Sequence, residues 1–168
     1  MRRFVVILVV LAALVVPAVV LAAPHGGDGS LVVKNGTSPT GPVVVMQING
    51  SVIGQIDDGK IVIDPGPNPG TDVDYGATGW EWRRGSTVSD TAFVWGGHQP
   101  FKFRAVGGKF TVLIYGTGVN VVAVGKGWVK LAGTPSTPNG DGRYSLNGAD
   151  FASLPGTQTD KLSLPANG

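Results

Sequence analysis

Between Ala105 and Gly133 the chain reads AVGGKFTVLIYGTGVNVVAVGKGWVKLAG, and no stretch between its glycines exceeds seven residues. Gly107, Gly116 and Gly125 stand nine apart, with Gly108, Gly118 and Gly127 beside them. Glycine inside a helix costs about 1 kcal/mol relative to alanine, and the intervening valines and isoleucines are stiff at χ1 and suit a pleated strand. A helix is therefore the wrong solution here. The block predicts short strands separated by turns or bulges.

The rest of the chain repeats this style. From Val43, VVVMQI is followed by Asn49-Gly50, then SVIGQI, Asp57-Asp58-Gly59 and KIVID. Asn-Gly and Asp-Gly between apolar runs predict tight hairpins. Alternation is clear where Phe101, Phe103 and Ala105 oppose Lys102 and Arg104, and where Phe110, Val112 and Ile114 oppose Lys109, Thr111 and Tyr115. One face of those strands is wet. VNVVAV at 119–124 is apolar on both faces apart from Asn120, which places it centrally or under a loop. Outside the first residues no helical period is sustained, so the fold expected is all-β, an antiparallel sandwich or small barrel.

The glycine block also has to be tested as a ligand cradle. A dinucleotide fingerprint needs G-x-G-x-x-G between a strand and a helix. From Gly116 the third glycine is replaced by Val121, and from Gly125 by Lys130. Calcium-binding nonapeptide repeats need an aspartate in each turn, and residues 91–140 hold no acidic residue. Both readings fail, and the glycines are assigned to the backbone.

The string from FKFRAVGGKFTVLIYGTGVNVVAVGKGWVKLAG through GRYSLNG to the SLP at 153–155 resembles a family of small exported β-rich proteins from high-GC, actinobacterial-type bacteria. About a third of the chain carries the similarity. It implies a secreted β-rich domain and carries over no catalytic residue.

Export is also predicted independently of that resemblance. Arg2 and Arg3 precede an unbroken apolar run from Phe4 to Ala23, with Pro17 near its end and small residues at Ala22 and Ala23. This is the layout of a secretory signal peptide over 1–23. A retained anchor is the rival, since about 20 apolar residues just span a bilayer. No cysteine follows the run, which excludes a lipoprotein anchor. The expected organisation is then a flexible leader at 24–42 with room for one strand at the short apolar patch 31–33, one β-domain over 43–155, and an irregular tail at 156–168.

Loss of the signal would leave 11 basic against 11 acidic residues, since Arg2 and Arg3 go with it from a total of 13. The sequence pI of about 9.0 is then largely a property of the leader, and gives no support to nucleic-acid binding. The neutral remainder is polarised. Residues 28–90 carry eight acids and four bases, whereas 91–168 carry seven bases and three acids. Lys102 and Arg104 share one strand face and Lys126 and Lys130 another, so a basic sheet surface facing an anionic envelope polymer is one expectation.

Catalytic chemistry finds little to work with. There is no cysteine, and the two histidines are His25 and His98, so thiolate sites and three-histidine zinc sites are impossible. No G-x-S-x-G occurs, and Glu81 is the only glutamate. Asp72 and Asp74 in DVDYG are candidate calcium ligands, though the string lacks the later ligands of an EF-hand loop. A secreted hydrolase built on Asp72, Asp74 and His98 is the alternative function.

The leading expectation is a noncatalytic binding or structural domain needing no cofactor. Its candidate ligand surface is Trp80, Trp82, Arg83 and Arg84 with the adjoining loop at 65–79. If WEWRR is a strand, both indoles share a face and can stack on sugar rings of an envelope glycan. Trp95 and Trp128 are further aromatic candidates, and all four tryptophans would serve equally as core. Open sheet edges offer a route to oligomers.

Overall fold

The computed structural model describes residues 29–67, 73–84, 89–134 and 142–165, the side chains of Pro39 and of residues 80–84 excepted. The protein is all-β, as expected. Nine strands form one large antiparallel sheet that is not closed. They are β1 (Gly29–Ile56), β2 (Asp58–Asp64), β3 (Asp74–Ala77), β4 (Trp80–Arg84), β5 (Phe93–Gly97), β6 (Phe101–Leu131), β7 (Arg143–Leu146), β8 (Ala152–Ser153) and β9 (Leu162–Leu164).

Two of these strands are too long for one layer, and that length makes the architecture. At a rise of about 3.3 Å per residue, β1 and β6 would each reach some 90–100 Å if straight. Instead they bend, and the sheet folds over on itself into a sandwich-like pair of layers. In the first layer the order is β3, residues 101–106, residues 51–56, residues 120–125, residues 29–33, β7 and β8. The second runs β4, β5, β2, residues 109–117, residues 42–49, residues 126–131 and β9.

Neither expected hairpin is formed: 51–56 does not pair with β2 across Asp57-Asp58-Gly59, and there is none at Asn49-Gly50. Residues 44–49 and 51–56 do not pair with each other; the first pairs with 109–114 and 126–131, the second with 101–106 and 120–124. The dipeptide is a corner at which the strand passes from one layer to the other. Gly50 lies opposite Gly125, and a Cβ on either would come within 2.7–2.8 Å of the other's Cα. Two backbones can cross that closely only where neither carries a side chain. The nine-residue glycine spacing thus marks layer changes as well as turns. Gly116, at φ +124°, fills the same role against Gly59.

Sheet structure also extends beyond the expected domain. β1 begins at Gly29, within the stretch read as a flexible leader, and the 31–33 patch is held between 121–123 and 144–146. β9 lies in the stretch read as an irregular tail and pairs with 127–129. The loop expected over 65–79 contains β3, which pairs with 103–106 at the edge of the first layer. Each of these segments is short and polar in part, and is ordered by an existing strand beside it.

Strand alternation sorts the faces. From the first layer Leu31, Val33, Val52, Phe101, Phe103, Val121 and Ala123 point inward, and from the second Met46, Ile48, Ile61, Ile63, Phe110, Val112, Ile114 and Val129; all belong to one buried cluster. Full burial of such a side chain is worth about 1.5–3 kcal/mol, so this interior is what holds a domain without disulfides. The segment at 120–125 is central in its layer, as its apolar character requires.

Candidate functional site

Alternation that buries one face of the second layer presents the other to solvent, and the register decides what meets there. Leu113 stands between Val62 and Val45, and Val45 in turn lies opposite Lys130. Lys109 and Lys126 flank Asn49. Tyr115 lies opposite Lys60, whose ammonium sits 4.7 Å from the centre of the phenol ring. Trp128 lies opposite Gln47 and Ser163, and the ammonium of Lys161 is 4.6 Å from its indole.

The result is a half-buried centre of Val45, Leu113, Tyr115 and Trp128 ringed by Lys60, Lys109, Lys126, Lys130 and Lys161. Lys126 and Lys130 are about 13 Å apart along their strand, by the usual rise per residue. Among the described residues none of the five lysines makes an ion pair. Carboxylates in the strands of this layer from β5 to β9 are few: Asp58 at a corner and Asp64 near the margin. Burial penalises the charged form of Asp64, but hydrogen bonds outweigh it. The Thr91 hydroxyl donates at 2.6 Å and the Gly66 N–H at 2.9 Å, and with Ser89 they hold the carboxyl below its ordinary range. Asp64 is ionised, and its carboxyl is held by these neutral donors and not by a lysine.

Next to Val62, the register brings Val94 onto the same outer side, where both are buried with Ala92 against Leu113 and Tyr115. Burial in this small cluster desolvates the Tyr115 hydroxyl and raises its pKa. The outer face is therefore stiffly backed at its β2–β5 side and lysine-rich elsewhere.

Other residues singled out in the sequence fall in different places. Trp95 is core, 7% exposed, packed between Phe93 and Tyr75 with ring centroids 5.8 and 6.2 Å away. β4 is the edge strand of the second layer. Trp80 pairs with Gly96, Glu81 with Trp95, Arg83 with Val94 and Arg84 with Phe93, with a register shift between Glu81 and Arg83. That shift falls at Trp82 and interrupts the strict alternation on which a shared face for Trp80 and Trp82 was argued. Their side chains, and those of Arg83 and Arg84, lie outside the described residues.

Asp72 also lies outside them. Asp74, on β3 in the first layer, pairs with Arg104 at 2.8 Å, both side chains exposed. His98 follows β5 in the second layer, and its Nδ1 is 3.1 Å from an Asp58 carboxylate oxygen, again in the open. The grouping of Asp74 with His98 does not form, because each has its own partner on a different layer. Among the described residues no group of three or more His, Cys, Asp or Glu side chains could hold a metal ion.

Sequence reasoning found Lys126 and Lys130 but missed Lys60 and Lys161. Lys60 belongs to the acidic half of the chain and reaches this face only by pairing with residues 55 positions later. Its one available signal was its place in KIVID, where Lys60, Val62 and Asp64 oppose Ile61 and Ile63. Comparison with known proteins found no matching family model, no similar curated protein and no similar solved structure.

Proposed function

We propose that the protein is an exported, noncatalytic β-domain that binds an anionic polymer of the cell envelope across the outer face of its second layer. The observation that carries this reading is the set of five lysines around Trp128 and Tyr115 that make no ion pair among the described residues. Ammonium groups spaced about 10–13 Å apart are beyond one Debye length of each other at physiological salt, so they repel little and each can take a separate anionic group. An extended chain suits such a surface better than a compact ligand. The aromatic and aliphatic centre supplies contact area, and the lysine stems add to it. Export rests on the apolar segment after Arg2 and Arg3 and agrees with a ligand outside the cytoplasm.

β4 forms the edge of the same layer, so the Trp80, Trp82, Arg83 and Arg84 segment remains the candidate extension of this surface. Titration of the chain starting at residue 24 with polygalacturonate and with inorganic polyphosphate, at rising salt, tests the reading. Binding that weakens steeply with salt and falls on Lys126→Ala with Lys130→Ala is the expected result. No binding of either polymer at low salt overturns it.

A further inference from the structure

At one end of the lysine face a cavity of about 240 Å³ opens beside Lys60 and Tyr115. Asp58, Gly59, Gly97, His98 and Gly116 complete its lining. The corner of Gly59 and Gly116 admits no side chain. A Cβ on Gly59 would come within 2.8 Å of Gly116 Cα, and one on Gly116 within 2.7 Å of Gly59 Cα.

Three properties decide what fits. The volume is below the roughly 300–1,000 Å³ of sites for drug-sized ligands and suits a single six-membered ring. The lining is largely carbon, from the Tyr115 ring, the Lys60 stem and the glycine Cα atoms, which suits the C–H face of a ring and not a naked phosphate. Polar groups stand only at the rim: the Asp58 carboxylate and His98 imidazole, 3.1 Å apart, and the Lys60 ammonium over Tyr115. A carboxylate at the rim accepts hydrogen bonds from hydroxyl groups and repels a bare anion. An ammonium opposite it draws a ring-borne carboxylate.

We propose that this cavity takes one sugar ring of a uronate-bearing polysaccharide, with ring hydroxyls donating to Asp58 and the ring carboxylate meeting Lys60. The inference rests on the lysine face being a polyanion surface and specifies its ligand as an acidic glycan. Lys60 belongs to both, so the polymer runs from the cavity onto Lys109, Lys126 and Lys130. A polyphosphate engages the lysines alone.

The test compares galacturonate oligosaccharides with inorganic polyphosphate of matched charge on the chain from residue 24, by calorimetric titration. The variants are Asp58→Ala and His98→Ala; these side chains are 55% and 89% exposed, so the fold tolerates their loss, which a thermal melt verifies. Each variant is expected to weaken oligouronate binding by about five- to tenfold, the equivalent of one ordinary hydrogen bond, and to leave polyphosphate unchanged. Lys126→Ala with Lys130→Ala is expected to weaken both ligands. If Asp58→Ala and His98→Ala leave oligouronate binding unchanged, or shift both ligands alike, the sugar cavity is wrong and the lysine face stands. If neither ligand binds the parent protein, both readings fall.

Discussion

The two outer faces of this sandwich are made by the same rule and end up chemically different. On the first layer Val32, Val122 and Ile53 form a row across neighbouring strands that continues to Arg104, and Ile53 is 49% exposed. Of its basic residues Lys34, Lys102, Arg104 and Arg143, Arg104 is answered by Asp74 on the adjoining strand β3. On the second layer the corresponding row runs Val62, Leu113, Val45 and Lys130, and among the described residues no acid pairs with the lysines. Both faces alternate apolar and polar positions. What separates them is the edge: β3 brings an aspartate to the first, while β9 is preceded by one more lysine, Lys161, on the second. A charged sheet face becomes a binding candidate through what its neighbouring strands fail to neutralise.

The most severe way to break the comparison is to break the corner that both faces share. Gly125→Ala places a Cβ against the Asn49 carbonyl oxygen and within 2.8 Å of Gly50 Cα, in a backbone conformation with φ +151°. A loss of roughly 3 kcal/mol is expected in urea denaturation, at the upper end for a strained residue, and polyanion binding to the second face should weaken with it. A stability within 0.5 kcal/mol of the parent, on the scale of an inert surface change, would mean the corner is soft.

Charge removal separates the faces. Lys126→Ala with Lys130→Ala should lower polyanion affinity by roughly tenfold, about 1.4 kcal/mol, whereas Lys102→Ala with Arg104→Ala should change it less than about twofold. Equal losses from the two pairs, read by the same titration, would show that net charge and not the second face is responsible.

A smaller effect concerns Asp64, an acid engaged by hydrogen bonds near the lysines. The folded pKa of Asp64 is depressed, so its stabilisation is present above its unfolded value of about 3.9 and is lost as pH falls through the folded value. Thr91→Val removes a donor at 2.6 Å. It should cost about 1 kcal/mol at pH 7, and the difference from the parent in urea midpoint should shrink as pH falls below that window. A penalty that is constant with pH would locate the effect in packing.

The smallest effect is expected at Arg104→Ala. Its pair with Asp74 is exposed on both sides, and such pairs contribute about 0.2–1 kcal/mol before screening by salt. Chemical denaturation at low and at physiological salt should show a difference at the bottom of that range, fading with salt.

Much of the fold was legible because it is local. The β-branched runs and their glycines excluded helices, and the alternation at 101–105 and 110–114 named the inward residues correctly. Asn49-Gly50 misled for a physical reason: a dipeptide that permits a hairpin also permits two backbones to cross closely, and only the partner strand, here Gly125, distinguishes the two. The site was less legible. Lys126 and Lys130 share a face by counting alone, but Lys60, Tyr115 and Trp128 join them through pairings that no local pattern specifies. Trp95 and Trp128 look alike in sequence, yet one lies inside the core and the other on the lysine face.

By itself the sequence determined that this chain forms strands, which side of each strand is apolar, and where the backbone must do without a Cβ, since these depend on a residue and its near neighbours. Only the tertiary structure decided that Gly50 and Gly125 form a corner, that Asp74 is claimed by Arg104, and that lysines from β2 and β6 converge on one face. Those outcomes follow from register between segments far apart in the chain, set by the packing of the whole interior.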